Sequence, residues 1–359
     1  MNRTDQLSLS ATRRRSDEIE VELAAKPEQF RVLTGDRPTG PLHVGHLFGT
    51  LLNRVRLQDA GADVMVVIAD YQTLTDRDAP DSLPVDVLNL VADYLAVGLD
   101  PSRCTIFAHS QVPALNQLFV PFLSLVTVAE LRRNPTVKAE FDASDRATMN
   151  ALMLTYPVHQ AADLLFCHSN LVPVGKDQLP HLELSRAIAR RFNDRYSPHQ
   201  PYFTMPEGLL SDAPLLLGTD GQKMSKSRKN AIALGATEDE TARLIRGAKT
   251  DSERMITYEP DRRPEVANLV LLASLCSGLR PEQIVHDVGT GGSAHLKQMV
   301  VDAINEYLRP IRSRRQSLVG EPDHLRKILA DGVEQANAIG DRTLGEVRRL
   351  THTVYSFAA

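Results

Sequence analysis

The sequence has 359 residues, no tryptophan, three cysteines and an aromatic content of only 5%. Cys104, Cys167 and Cys276 lie far apart and show none of the close spacings used for zinc or iron–sulfur ligation. A disulfide scaffold and a structural metal are therefore not expected, and a reducing compartment is. No window approaches the roughly 20 apolar residues that cross a bilayer, and no basic start runs into a long apolar stretch, so a cytoplasmic protein without a membrane partner is expected. A large excess of one charge is also missing. The formal net charge of −4 argues against nonspecific coating of nucleic acid, so DNA is not an expected partner and any RNA must meet a local face. Repeats and low-complexity tracts are absent. The missing tryptophan decides nothing, because only a few would be expected by chance.

The ordinary proportions, 42% hydrophobic and 24% charged, suit a soluble chain large enough for two domains. Residues 1–29 are polar and densely charged and read as an extension with one short helix. "RVLTGD" reads as a buried strand, followed by a Pro/Gly turn and the helical "HLFGTLLNRVRLQDAG", which stops at Gly61 as helices often do. "VMVVIAD" and "TIFAHS" are strand-like, and "SLPVDVLNLVADYLAVGL" between them has helical period. This β-α-β alternation predicts an α/β fold, a parallel sheet with helices on both faces. "ATMNALMLTYPVHQAADLLFC" has helical spacing interrupted near Pro157, "LVPVG" reads as a short strand and "DQLPHLELSRAIARRFN" as an amphipathic helix. After about residue 235 only helical periods remain. The expected organisation is an extension over 1–29, a catalytic α/β domain over 30–235 and an all-helical domain over 236–359.

Two motifs carry chemistry. In "TGPLHVGHLFG", His43 and His46 stand at i and i+3 near a helix N-terminus, where unpaired N–H groups and about half a positive charge favour phosphate. Gly45 between them leaves room for a flat ligand against the backbone. The same pair could equally cap the helix and pack. In "KMSKS", Lys223 and Lys226 lie close together with Met224, Ser225 and Ser227 in a loop flanked by Gly218 and Gly221. Its ammonium groups could follow charge developing on a departing phosphate, while a solvated loop would read the same.

An HxGH turn early in a parallel α/β domain and a KMSKS loop after its strands resemble the two signatures of class I aminoacyl-tRNA synthetases. "TGDRPTGPLHVGH", "IADYQTLTD", "NPTVKAE", "YPVHQAAD" and "LVPVGKDQ" occur in the order found in bacterial tryptophanyl-tRNA synthetases, and the likeness runs over residues 30–359. The resemblance implies a Rossmann-like catalytic domain followed by a helical anticodon-binding domain. It also implies that Asp163 accepts the indole N–H of tryptophan, a group that can only donate. Without the likeness, Asp163 could be a helix aspartate in an ordinary ion pair. Tyr156, Gln160 and Asp163 also meet the spacing of the tyrosyl enzymes, which add a tyrosine on the first strand. Leu33 holds that place here, and an apolar residue suits indole better than phenol.

The resemblance further assigns Gln72, Val172 and Gln178 to the amino acid. Arg37, Thr39, Gly45, His46, Lys138, Asp177 and the lysine-loop residues Lys223 to Ser227 are assigned to ATP. His43, His46, Lys223 and Lys226 are the expected catalytic groups. Magnesium is expected to arrive with the ATP phosphates, with no protein metal site. Tryptophan tRNA is the expected macromolecular partner, and a homodimer the expected assembly. Arg309, Arg312, Arg314 and Arg315 in "RPIRSRRQS" could meet RNA phosphates or lie on a solvated helix face. The chain departs from the common bacterial branch at Gln72, Gln160, Lys176, Arg228 and Lys229, and keeps two histidines where that branch has threonine and asparagine. Altered sensitivity to tryptophan-mimicking inhibitors follows as an expectation. A small-molecule nucleotidyltransferase and a non-catalytic regulatory paralogue are the competing classes; the first would not need the helical tail, and the second would not need both motifs intact.

Overall fold

The computed structural model describes residues 3–75, 78, 80–142, 148–175, 178–210, 215–225 and 228–355. Asp177, Lys226 and Ser227, and with them Lys176, lie outside the described residues.

The apolar runs become β1 (Arg31–Asp36), β2 (Asp63–Ile68), β3 (Cys104–Ala108), β4 (Leu171–Val174) and β5 (Glu207–Leu210). All pair in parallel, in the order β3-β2-β1-β4-β5. The sequence reverses direction across the sheet between β1 and β4, and the crevice outside their carboxyl ends is where such sheets bind ligands. Alternate residues feed opposite cores. Val32, Val64, Val66 and Ile106 enter one cluster, while Leu33, Met65, Val67 and Phe107 enter the other, as the period of two requires.

Within the expected extension, Arg3–Ala25 form one long helix rather than a short one. A helix at Arg3–Ala25 buries Ile19 and Leu23 in the core. Its Ser16 hydroxyl accepts the Leu210 amide at 3.0 Å and donates to the Gly208 carbonyl at 3.3 Å, covering the outer edge of β5. Proline also does not break the Ala151–Phe166 helix, which runs through Pro157; Asn150 caps its start by accepting the Met153 amide at 2.7 Å, and most of its residues are buried.

From Glu238 onward every described element is helical. The Pro322–Leu350 helix crosses back to the sheet: Leu325 and Ile328 join one core, and Ala336 and Leu344 the other. Glycine makes this approach possible, because a Cβ at Gly332 would lie 1.9 Å from the Ile106 carbonyl oxygen. The helical segment thus shares its packing with the sheet.

Candidate active site

At the carboxyl end of β1 the chain turns through Arg37 and Thr39 and reaches His43, which is extended (φ −133°, ψ 171°) at the N-terminus of a helical run. That run starts at Val44–His46, passes through a π-turn at Leu47–Leu51 and continues to Ala60, where Gly61 closes it at φ 104°. His46 Nδ1 accepts the His43 amide at 3.2 Å, so its proton sits on Nε2. The two rings lie 3.7 Å apart between centroids. The histidine pair therefore both braces the turn and faces its N-terminal end.

The lysine loop meets this turn directly. The Val44 amide donates to Ile232 at 3.0 Å and the Leu234 amide to Leu42 at 2.9 Å, a short antiparallel ribbon joining the two motifs. Met224 is buried against Gly45, where a Cβ would stand 3.3 Å from its sulfur and 3.0 Å from the His43 ring. Lys223 is exposed and Ser225 half-buried. The loop is organised by Asn230, which sequence patterning missed. This residue is 2% exposed. It donates to Asp220 at 2.7 Å and to the Lys223 carbonyl at 3.2 Å, and accepts the Ser225 amide at 2.8 Å. Its hydrogen bond holds the Asp220 carboxyl below the usual range.

Leu33, Arg37, Gln72, Tyr156, Gln160, Asp163, Val172 and Gln178 surround one cavity of about 320 Å³ at the β1/β4 crevice. Asp36, Thr50 and Arg54 line it too. Among the described residues, His43, His46, Lys223, Met224 and Ser225 do not line it and form a neighbouring cluster. They remain electrostatically linked to it, since a protonated His46 helps to lower Asp36. Thr39 lies in the intervening turn, and exposed Lys138 sits on the Pro135–Asp142 helix two residues before the cavity-lining Glu140.

Asp163 is 4% exposed, and burial first, then the charge of Asp70, pushes its carboxyl well above the ordinary range. Its Oδ1 lies 3.3 Å from His109 Nδ1 without an aligned hydrogen bond. Behind it, the Gln72 side-chain nitrogen stands 3.3 Å from Nδ1 of both His109 and His159, and His159 Nε2 is 3.1 Å from Asn116 Oδ1. Burial lowers both imidazoles, His159 to about 4, so the wall is neutral near pH 7. A second buried histidine contact joins Tyr156 to His181 at 3.0 Å. A carboxyl acceptor between the apolar side chains of Leu33 and Val172 suits a flat apolar ring carrying one N–H.

The profile of the class I tRNA synthetases (W and Y) matches residues 25–309. The tryptophan–tRNA ligase of Treponema pallidum (strain Nichols) is 39% identical over 328 residues, covering 89% of this chain and 96% of that protein. The chain belongs to the tryptophan–tRNA ligases. The Clostridium longisporum ligase is 38% identical across 88% of this chain and 95% of its own length. Among solved structures, the Campylobacter jejuni tryptophanyl-tRNA synthetase complexed with ADP and tryptophan shares 29% identity at a TM-score of 0.79, covering 90% of this chain and all (100%) of that one.

In this tryptophan–tRNA ligase, three of the arginines in "RPIRSRRQS" turn inward. Arg312 bonds Thr241 and Asn305, Arg314 the Ala96 carbonyl, and Arg315 Asp93 and Asn89, while Arg309 pairs with Glu306 and Glu238 at the surface. The patch is thus largely structural. Arg228 and Lys229 remain exposed beyond the lysine loop.

Proposed function

We infer that this ligase activates L-tryptophan with ATP and passes it to tryptophan tRNA. The observation carrying the amino-acid assignment is the buried Asp163 carboxyl in a cavity also lined by Leu33 of β1, likewise buried. A tyrosine substrate would bring a hydroxyl toward Leu33, which has no polar group to meet it. Loss of one expected buried hydrogen bond costs about 1–3 kcal/mol.

In the first step the tryptophan carboxylate, already ionised at neutral pH, attacks the α-phosphorus of ATP and pyrophosphate leaves. In the second, a hydroxyl of the terminal tRNA ribose attacks the activated carbonyl and AMP leaves. No general base is needed for the first step, so its acceleration rests on alignment and on charge stabilisation at the phosphates. His43 and His46 at the helix end, with Lys223 and Lys226 of the loop, are assigned to that stabilisation. Arg37, Thr39, Lys138, Asp177, Met224, Ser225 and Ser227 are assigned to ATP contacts. A magnesium ion arriving with ATP would add to the charge stabilisation at the phosphates.

The helical segment from Glu238 is assigned to the anticodon arm. A homodimer is assigned from the family likeness alone. Tryptophan-dependent pyrophosphate exchange tests the assignment: exchange is expected with tryptophan and not with tyrosine or without amino acid, and equal rates with tyrosine would overturn it.

A further inference from the structure

One guanidinium reaches from the helical segment to both halves of the ribbon that joins the two motifs. Arg315, on the Gly292–Val319 helix, donates through Nε to Asp93 Oδ1 at 2.5 Å and through Nη2 to Asn89 Oδ1 at 3.1 Å. Asp93 is 1% exposed, and its second oxygen accepts the amide of Leu42 at 3.1 Å. Leu42 immediately precedes His43, and its carbonyl accepts the Leu234 amide. The next residue, Gly235, lies so close that a Cβ there would stand 3.1 Å from the Arg315 guanidinium. Arg315 therefore contacts the lysine-loop exit directly and the histidine turn through one buried carboxylate.

We propose that Arg315 is a positioning residue for adenylate formation: with Asp93 it holds the His43 turn and the lysine-loop exit in register. The physical basis is the sensitivity of in-line transfer to placement, where a misplacement of about 1 Å can cost on the order of 100-fold in rate. A buried carboxylate accepting from both a guanidinium and a backbone amide is a stiff link, because removing the guanidinium takes away its countercharge and breaking either bond frees one side of the link. It also makes the helix assigned to tRNA mechanically continuous with the turn assigned to the phosphates. Arg315 itself lines neither the cavity nor the loop, so its effect on the reaction passes through Leu42 and Gly235.

The proposal rests on the tryptophan-activating reading, and wild-type exchange with tryptophan tests that reading first; its absence would remove both. With exchange present, Arg315→Gln, Arg315→Lys and Gly235→Ala are compared by pyrophosphate exchange normalised to active-site titration, alongside thermal melting. Arg315→Gln is expected to lower kcat per titrated site by about 10-fold or more with the tryptophan KM nearly unchanged. Arg315→Lys, which keeps a cation for Asp93, recovers most of that loss. Gly235→Ala, which displaces the guanidinium while keeping its charge, lowers kcat in the same direction. A normal kcat per titrated site in Arg315→Gln and Gly235→Ala, with only a lower melting temperature or fewer active sites, would overturn it.

Discussion

Arg54 donates to Asp36 at 2.6 Å from a side chain only 2% exposed, and Tyr94 donates to the same carboxylate oxygen at 2.8 Å. Burial alone would raise Asp36, but the Arg54 charge and hydrogen bonds outweigh it and hold the carboxyl at about 2 against an ordinary 3.8. Because the folded value is depressed, this stabilisation is present above the ordinary value and is lost as pH falls toward the folded one. Arg54→Met should lower stability by about 3–5 kcal/mol, since one buried charge then lacks its partner. The remaining burial raises Asp36, so the sign reverses and stability falls as pH rises. Melting profiles from acid to neutral pH check this, and a profile parallel to wild type would contradict it.

Asp163 gives the opposite titration. Its folded value is raised by burial and Asp70, so the neutral acid persists above the ordinary carboxylate range. Ionisation costs the empty protein stability as pH rises through that value, yet supplies a stronger acceptor for indole N–H. The tryptophan KM is expected to fall with rising pH, and Asp163→Asn to flatten that dependence. Asp163→Asn should also cut discrimination between tryptophan and its sulfur analogue benzothienylalanine, which lacks the N–H. Unchanged discrimination would refute the assigned contact.

Gly45→Ala tests the meeting of the two motifs. The added methyl would stand 3.0 Å from the His43 ring and 3.3 Å from the Met224 sulfur, so these groups must separate by a few tenths of an ångström. We expect adenylate formation to slow by about 10- to 100-fold with a melting temperature near wild type. Burst amplitude and rate in single-turnover adenylation distinguish slow chemistry from loss of active protein.

Asn230→Ala removes three hydrogen bonds from the lysine-loop frame and leaves the Asp220 carboxyl closer to its ordinary value. About 1–3 kcal/mol of stability should be lost, together with a higher KM for ATP and little change in that for tryptophan. An effect confined to tryptophan would place Asn230 in a different role.

The strands β1 to β4, the helices that follow them and both motifs were readable because hydrophobic period and turn chemistry are local signals. The remainder depends on partners far apart in sequence. Arg54 resembles any helix arginine until Asp36 folds over it, and His109 resembles any polar residue after a strand until Gln72 and Asp163 close around it. Asn230 looked like a loop residue because its partners are mostly backbone atoms. β5, at Glu207–Leu210, is too short for a distinctive alternation. Residues 3–25 form a helix whose charged face dominates its composition, and nothing local marks Ile19 and Leu23 as its buried contacts.

The helix at Arg3–Ala25 has a consequence for how the chain is made. Its Ser16 is bonded to Gly208, 192 residues further along. It is synthesised 192 residues before its partner strand, yet cannot dock until that strand has followed. An early amphipathic helix must wait without its partner, and the outer edge of the sheet remains uncovered until that late contact forms. The helix that seals β5 is thus made ahead of all five strands and can do so only after they have emerged.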